Sequence, residues 1–188
     1  MAIQKAEQKN IKVDTVADIF CGCGTVAFEA VRSGKNFWGC DINPVATLIA
    51  KVKSQVYNDA ILEEYFDEIV SSFKTSIADK NNIIYANERV KYWFDEAQID
   101  DLLKLRSAIY RNVKNEYYLR FFLCAFSNIL KSCSRWLTKS IKPQIDPDKC
   151  PKNVIAAFSA QVKMMRIANS ENKMGGLGNA DIHCLNFL

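Results

Sequence analysis

Apolar positions in the first part of the chain alternate between short unbroken runs and helical spacing. Val13–Phe20 (VDTVADIF) is a short, apolar, β-branched run, the pattern of a strand buried in a parallel sheet. The turn Cys21-Gly22-Cys23-Gly24 follows, and Thr25–Ser33 carries a helical pattern stopped by Gly34. Asn36–Cys40 (NFWGC) predicts a second strand ending at Asp41. Asn43 and Pro44 then supply a capping side chain and a proline suited to the first helical position of a helix reaching about Gln55. From about Asp59 the period becomes helical throughout. Leu62, Tyr65, Phe66, Ile69, Val70 and Phe73 recur at three- and four-residue steps. Ile99, Leu102, Leu103, Ile109 and Val113 form a weaker stripe, and Tyr118, Phe121, Phe122, Ala125, Phe126, Ile129 and Leu130 the strongest one. Aromatics at this spacing are read as core. Residues 139–153 hold three of the four prolines and predict a loop, Val154–Ala168 a further helix, and Ser170–Gly178 a glycine-rich connection. Asn179–Leu188 (NADIHCLNFL) is expected to close a third strand and its following turn.

These elements predict an α/β fold in three stretches: a β-α-β-α unit over 1–58, a helical insertion over 59–170, and a strand region over 171–188 returning to the sheet. At 188 residues and 49% hydrophobic content the chain can bury one ordinary core. The formal net charge of +4 is compatible with a phosphate backbone but common among proteins that bind none. The seven cysteines include no Cys-x-x-Cys pair and His183 is the only histidine, so the usual zinc spacings are absent and no metal is expected. The polar start has no apolar signal stretch, and no run approaches a membrane span of about 18 apolar residues. A reduced cytoplasmic setting is expected, with the cysteines as small apolar residues.

The chemistry concentrates in Ala17–Thr25, ADIFCGCGT. A strand ending in a glycine turn that opens a helix presents free backbone N–H groups at the carboxyl edge of a sheet. Gly22 and Gly24 let a ligand approach the main chain. Asp41, at the end of the second strand, stands where a ribose diol is usually held. A dinucleotide fingerprint needs a third glycine, and Gly22-Cys23-Gly24-Thr25-Val26-Ala27 has alanine there. Asp18 suits a cofactor with an ammonium group and sits badly beside a pyrophosphate. S-adenosylmethionine (SAM) carries the ammonium and no phosphate, so the residues favour SAM over NAD.

Asp18-Ile19-Phe20-Cys21-Gly22-Cys23-Gly24-Thr25 resembles the Asp-Pro-Phe-x-Gly-Ser-Gly-Thr motif of the amino-group (adenine-N6 or cytosine-N4) DNA modification methyltransferases. Glu29-Ala30, Gly34 and Gly39-Cys40-Asp41-Ile42-Asn43-Pro44 resemble that family's next segments. The resemblance implies a Rossmann-like SAM-dependent methyltransferase fold, incomplete here, with a large helical insertion. It implies that Asp18 and the turn Phe20, Cys21, Gly22, Gly24 and Thr25 meet the methionine part of SAM. Asp41 would hold the ribose, Ile42 would pack on the adenine, and Asp181 would accept from the adenine amino group. The implied partner is double-stranded DNA with its target base flipped, with Arg135, Lys139 and Lys142 as candidate contacts, and a restriction endonuclease counterpart is admitted. The other lysines and arginines of the insertion are read as the solvated sides of amphipathic helices.

Three departures qualify the match. Ile19 replaces proline and Cys23 replaces serine, both compatible with a turn built from backbone. The family's Asp/Asn/Ser-Pro-Pro-Tyr/Phe box is missing, since Pro44, Pro143, Pro147 and Pro151 are never adjacent. In the family's order that box follows the third strand. The chain is therefore expected to be the cofactor-binding part of a DNA methyltransferase, with no catalytic residue of its own and no activity alone. An RNA base-amine methyltransferase and a non-catalytic SAM-binding partner or regulatory subunit are the alternatives.

Overall fold

The computed structural model of the chain describes residues 2–137, 142–172 and 178–185. They form two compact units, one within Met1–Val56 and Glu171–Leu188, the other within Tyr57–Ser170. The architecture is mixed α/β, with one small parallel sheet and helices.

The first unit opens with a short helix, α1 (Ala2–Gln8). Its composition is polar with no apolar stripe, which is why periodicity does not mark it. The sheet follows as β1 (Thr15–Asp18), β2 (Asn36–Asp41) and β3 (Ala180–Cys184), in the order β1-β2-β3 with both pairings parallel. Helix α2 (Thr25–Arg32) links β1 to β2, and α3 (Pro44–Lys53) follows β2. Asn43 caps α3 by accepting from the Val45 and Ala46 N–H groups, beside Pro44 at the first turn. The core lies on one face of the sheet, where Cys21, Ala27, Ala30, Val31, Phe37, Ala50 and Ile182 pack together. Burying a side chain the size of Val31, Phe37 or Ile182 is worth about 1.5–3 kcal/mol each. The register sets Asp18 beside Gly39 and Gly39 beside Ile182, and it carries Asp41 and Cys184 two residues further to the carboxyl edge.

The second unit contains α4 (Asp59–Thr75), a 3-10 turn at Ile83–Ala86, α5 (Glu88–Trp93), α6 (Glu96–Asn112), α7 (Glu116–Ile129) and α8 (Val154–Glu171). Asparagines start several of these elements: Asn58, Asn82, Asn87 and Asn115 each accept from one or two N–H groups of the first turn, which would otherwise lack partners. The aromatic stripe of α7 is core. Phe121 and Phe122 are buried with Leu62, Ile69, Leu105, Ile109 and Phe158, and Tyr57 meets Tyr117 at 4.5 Å between ring centroids. Among its described residues this unit has no strand, only an isolated antiparallel bridge between Trp136 and Ile145. Among the described residues of the chain no helix is long and apolar enough to cross a membrane.

Candidate functional site

The carboxyl edge of the sheet is organised by the turn between β1 and α2. Gly22 and Gly24 both take positive φ, +51° and +72°, a region that costs a side chain about 1–2 kcal/mol. Their surroundings differ. A Cβ on Gly24 would stand 2.5 Å from the Ala50 Cβ, so this glycine lets α3 pack against the turn. A Cβ on Gly22 would meet nothing within 4 Å, so the main chain there faces open space.

Asp41 holds the turn in place. Its Oδ2 accepts from the Gly22 N–H at 2.9 Å and its Oδ1 from the Asn43 N–H at 2.9 Å. Its carbonyl accepts from the Leu185 N–H at 3.1 Å, and the Cys21 N–H donates to the Cys40 carbonyl at 3.0 Å. Each carboxylate oxygen keeps a further lone pair, so both can still receive hydroxyl protons. Across the turn, Asp18 Oδ1 accepts from the Phe20 N–H at 3.0 Å. Helix α2 has no side-chain cap, leaving first-turn N–H groups with the positive end of the helix dipole at the same turn. Phe20 is 69% exposed and Ile42 68%, so both side chains are open to a ligand at this edge.

Two carboxylates, an open glycine backbone, uncapped N–H groups and exposed apolar side chains fit the parts of SAM: ammonium, carboxylate, ribose diol and adenine. The structure brings Asp18, Phe20, Gly22, Gly24, Thr25, Asp41 and Ile42 to this edge. Cys21 is there through its backbone alone, because its side chain is buried in the core cluster. Burial pushes its thiol pKa up, reinforced by the nearby Asp41 and Asp18 carboxylates.

Asp181 is not brought to the edge. It pairs with Trp38 in mid-sheet, three residues before Cys184, which at strand rise is about 10 Å. Its Oδ1 lies 2.8 Å from His183 Nε2. The residue that the register sets beside Asp41 is Cys184, and Leu185, the next residue and 49% exposed, donates its N–H to the Asp41 carbonyl.

The candidate DNA contacts divide. Arg135 is engaged internally: its guanidinium donates to the Lys91 and Tyr92 carbonyls, both at 2.7 Å, and lies 3.6 Å from Asp95. Lys142 is exposed, and Lys139 lies outside the described residues.

Comparison with known proteins agrees with this chemistry. A family model for D12 class N6 adenine-specific DNA methyltransferases matches residues 2–135. A curated protein of Kocuria varians, Type II methyltransferase M.MvaI, is 23% identical over 189 residues, covering 94% of this chain. The chain spans about two fifths (41%) of that relative's length. No solved structure matches.

Proposed function

The chain belongs to the D12 class N6 adenine-specific DNA methyltransferase family, and from that premise we propose that its first unit is the SAM-binding part of a Rossmann-like DNA methyltransferase acting on a base amine, adenine N6 by the family's description. The observation that carries the reading is the pair of carboxylates, Asp18 and Asp41, on either side of a glycine turn whose backbone is open at Gly22.

Bound there, SAM supplies an electrophilic methyl on its sulfonium. Asp18 would hold the ammonium, Asp41 would accept from the ribose hydroxyls while keeping Gly22 in place, and Ile42 would pack on the adenine. Asp181 is not needed for this assignment. The helical unit, residues 57–170, is the insertion, and double-stranded DNA with the target base flipped out is the substrate. A paired endonuclease fits the Type II name of the relative.

The amine itself must be held in line by other residues. A base amine has its lone pair conjugated into the ring, so its hydrogens need acceptors as positive charge develops. A Pro-Pro-aromatic box meets that need in the family, and residues 1–188 contain no adjacent prolines. We therefore assign these residues to cofactor binding and not to the transfer step.

Calorimetry with S-adenosylhomocysteine, SAM and NAD tests the reading. The first two are expected to bind and NAD not. Asp41→Ala should weaken S-adenosylhomocysteine by about tenfold or more, the scale of a lost hydrogen bond to a charged group. Tighter binding of NAD would overturn the assignment. Methyl transfer to genomic DNA by residues 1–188, abolished by Asp18→Ala, would overturn the division of labour.

A further inference from the structure

The second unit separates its charges along the chain. Residues 57–103 hold eleven acidic and four basic side chains, whereas residues 104–152 hold eleven basic and three acidic ones. Several of the basic groups in the second stretch are engaged at home. Lys104 pairs with Asp101 and Arg120 with Glu116, while Arg135 pins the end of α5. Lys149 donates to the Lys131 and Trp136 carbonyls, and burial lowers its pKa.

The last two turns of α6 and the two residues just beyond are different. Arg106, Tyr110, Arg111 and Lys114 are all exposed there. Leu105, Ala108, Ile109 and Val113, which alternate with them along the chain, are buried, so the four share the outer side. Arg106 lies over the Tyr110 ring at 5.2 Å from its centroid, and Lys114 donates to the Tyr110 carbonyl at 2.9 Å. No carboxylate pairs with Arg106, Arg111 or Lys114 among the described residues. Three cations on one short face, around a tyrosine whose ring and carbonyl hold two of them, form a site complementary to a row of phosphates.

We propose that this face, Arg106, Arg111 and Lys114 around Tyr110, is where the second unit grips the DNA phosphate backbone. The proposal rests on the reading of the chain as part of a DNA methyltransferase. It moves the backbone contact from Arg135, which the fold consumes, to the end of α6. Phosphate contacts of this kind fix position without reading sequence. Each one released on adding salt contributes about 0.9 to the slope of log affinity against log salt concentration.

The test uses the whole chain, a fluorescein-labelled DNA duplex and anisotropy across a potassium chloride series. S-adenosylhomocysteine binding is followed by calorimetry in the same preparations. The triple variant Arg106→Gln/Arg111→Gln/Lys114→Gln is expected to lower the salt slope by about 2 to 3 and leave S-adenosylhomocysteine affinity unchanged. Lys114→Gln alone, just outside the helix, should lower the slope by about 1. Lys142→Gln/Lys152→Gln should leave it unaltered. A slope unchanged in the triple variant and reduced in the Lys142/Lys152 variant would overturn the proposal and leave the methyltransferase reading intact. A chain that binds S-adenosylhomocysteine but shows no salt-dependent affinity for the duplex would overturn it equally. Loss of both binding activities in the unmodified chain would instead sink the cofactor reading on which it rests.

Discussion

Asp41 and Gly22 are joined across the carboxyl edge of the sheet by a 2.9 Å hydrogen bond from the Gly22 N–H to the Asp41 carboxylate. The other oxygen of that carboxylate takes the Asn43 N–H, and the Asp41 carbonyl takes the Leu185 N–H. One residue therefore ties together the end of β2, the turn after β1, the start of α3 and the chain leaving β3. The side chain that would hold a ribose also sets the shape of the turn that would hold the methionine, so the two functions cannot be separated by deleting it.

Asp41→Asn tests that coupling. An amide has one acceptor oxygen, so it can receive either the Gly22 or the Asn43 N–H, and its own NH2 then faces the other donor. The expected result is weaker S-adenosylhomocysteine binding, by about tenfold or more. Amide exchange at Gly22 in the ligand-free protein should also be faster, as read by hydrogen–deuterium exchange. A residue that served only as a ribose ligand would leave the free-state exchange at Gly22 unchanged.

The two glycines of the turn should respond unequally to alanine. Gly22→Ala keeps a strained φ in open space and is expected to cost about 1–2 kcal/mol in urea denaturation. Gly24→Ala adds a collision with Ala50 at 2.5 Å to the same strain, and should cost about 3 kcal/mol or more. Equal losses would mean that α3 yields to the added methyl.

Much of this edge was legible in the sequence because its signals are local. The strand run, the glycine turn, Asp41 and the Asn43-Pro44 helix start fall at short, fixed spacings, and β1, α2, β2 and α3 occur within a few residues of the expected positions. What escaped depends on register or on contacts distant in sequence. Asp181 looked suitable as the acid of a third strand, but parallel pairing with Trp38 places it in mid-sheet, and the β3 residue paired with Asp41 is Cys184. Arg135 looked like a free cation because nothing in the sequence shows that the Lys91 and Tyr92 carbonyls lie beside it. Helix α1 has no apolar stripe for periodicity to find.

Thiol chemistry should separate Cys21 from its neighbours. Cys23, Cys150 and Cys184 are exposed, whereas Cys21 is buried, and burial with the Asp41 and Asp18 carboxylates raises its pKa. At pH 8, peptide mass mapping after iodoacetamide is expected to find the exposed three modified and Cys21 intact until the protein is unfolded. The sign for stability follows from linkage. The unfolded thiol ionises at its ordinary value while the folded one stays protonated. The thiol's contribution is therefore complete below that value and is lost as pH climbs from it through the raised one. Early alkylation of Cys21 at pH 8 would contradict its place in the core.

Arg135 should behave as a structural pin and not as a DNA ligand. Its two 2.7 Å bonds go to the Lys91 and Tyr92 carbonyls at the end of α5, where helix geometry leaves carbonyl groups without internal partners. Its own N–H donates to the Trp93 carbonyl, and its carbonyl accepts from the Asp146 N–H. The arginine thus joins α5 to the start of the loop whose backbone bridges Trp136 to Ile145. Removing the guanidinium loses hydrogen bonds at exposed carbonyls that water can reach, at a cost of about 1 kcal/mol. Arg135→Ala is therefore expected to lower the urea midpoint with little change in the slope of the transition. Arg135→Lys should recover part of the loss, since an ammonium keeps the charge and its donors but not the fixed planar geometry that aims the Arg135 Nη2 at both carbonyls. In the anisotropy series, Arg135→Ala should leave the salt slope of duplex binding where it is. A slope lowered by about 1 at unchanged stability would return Arg135 to the phosphate-contacting surface and show that its bonds to α5 give way when DNA binds.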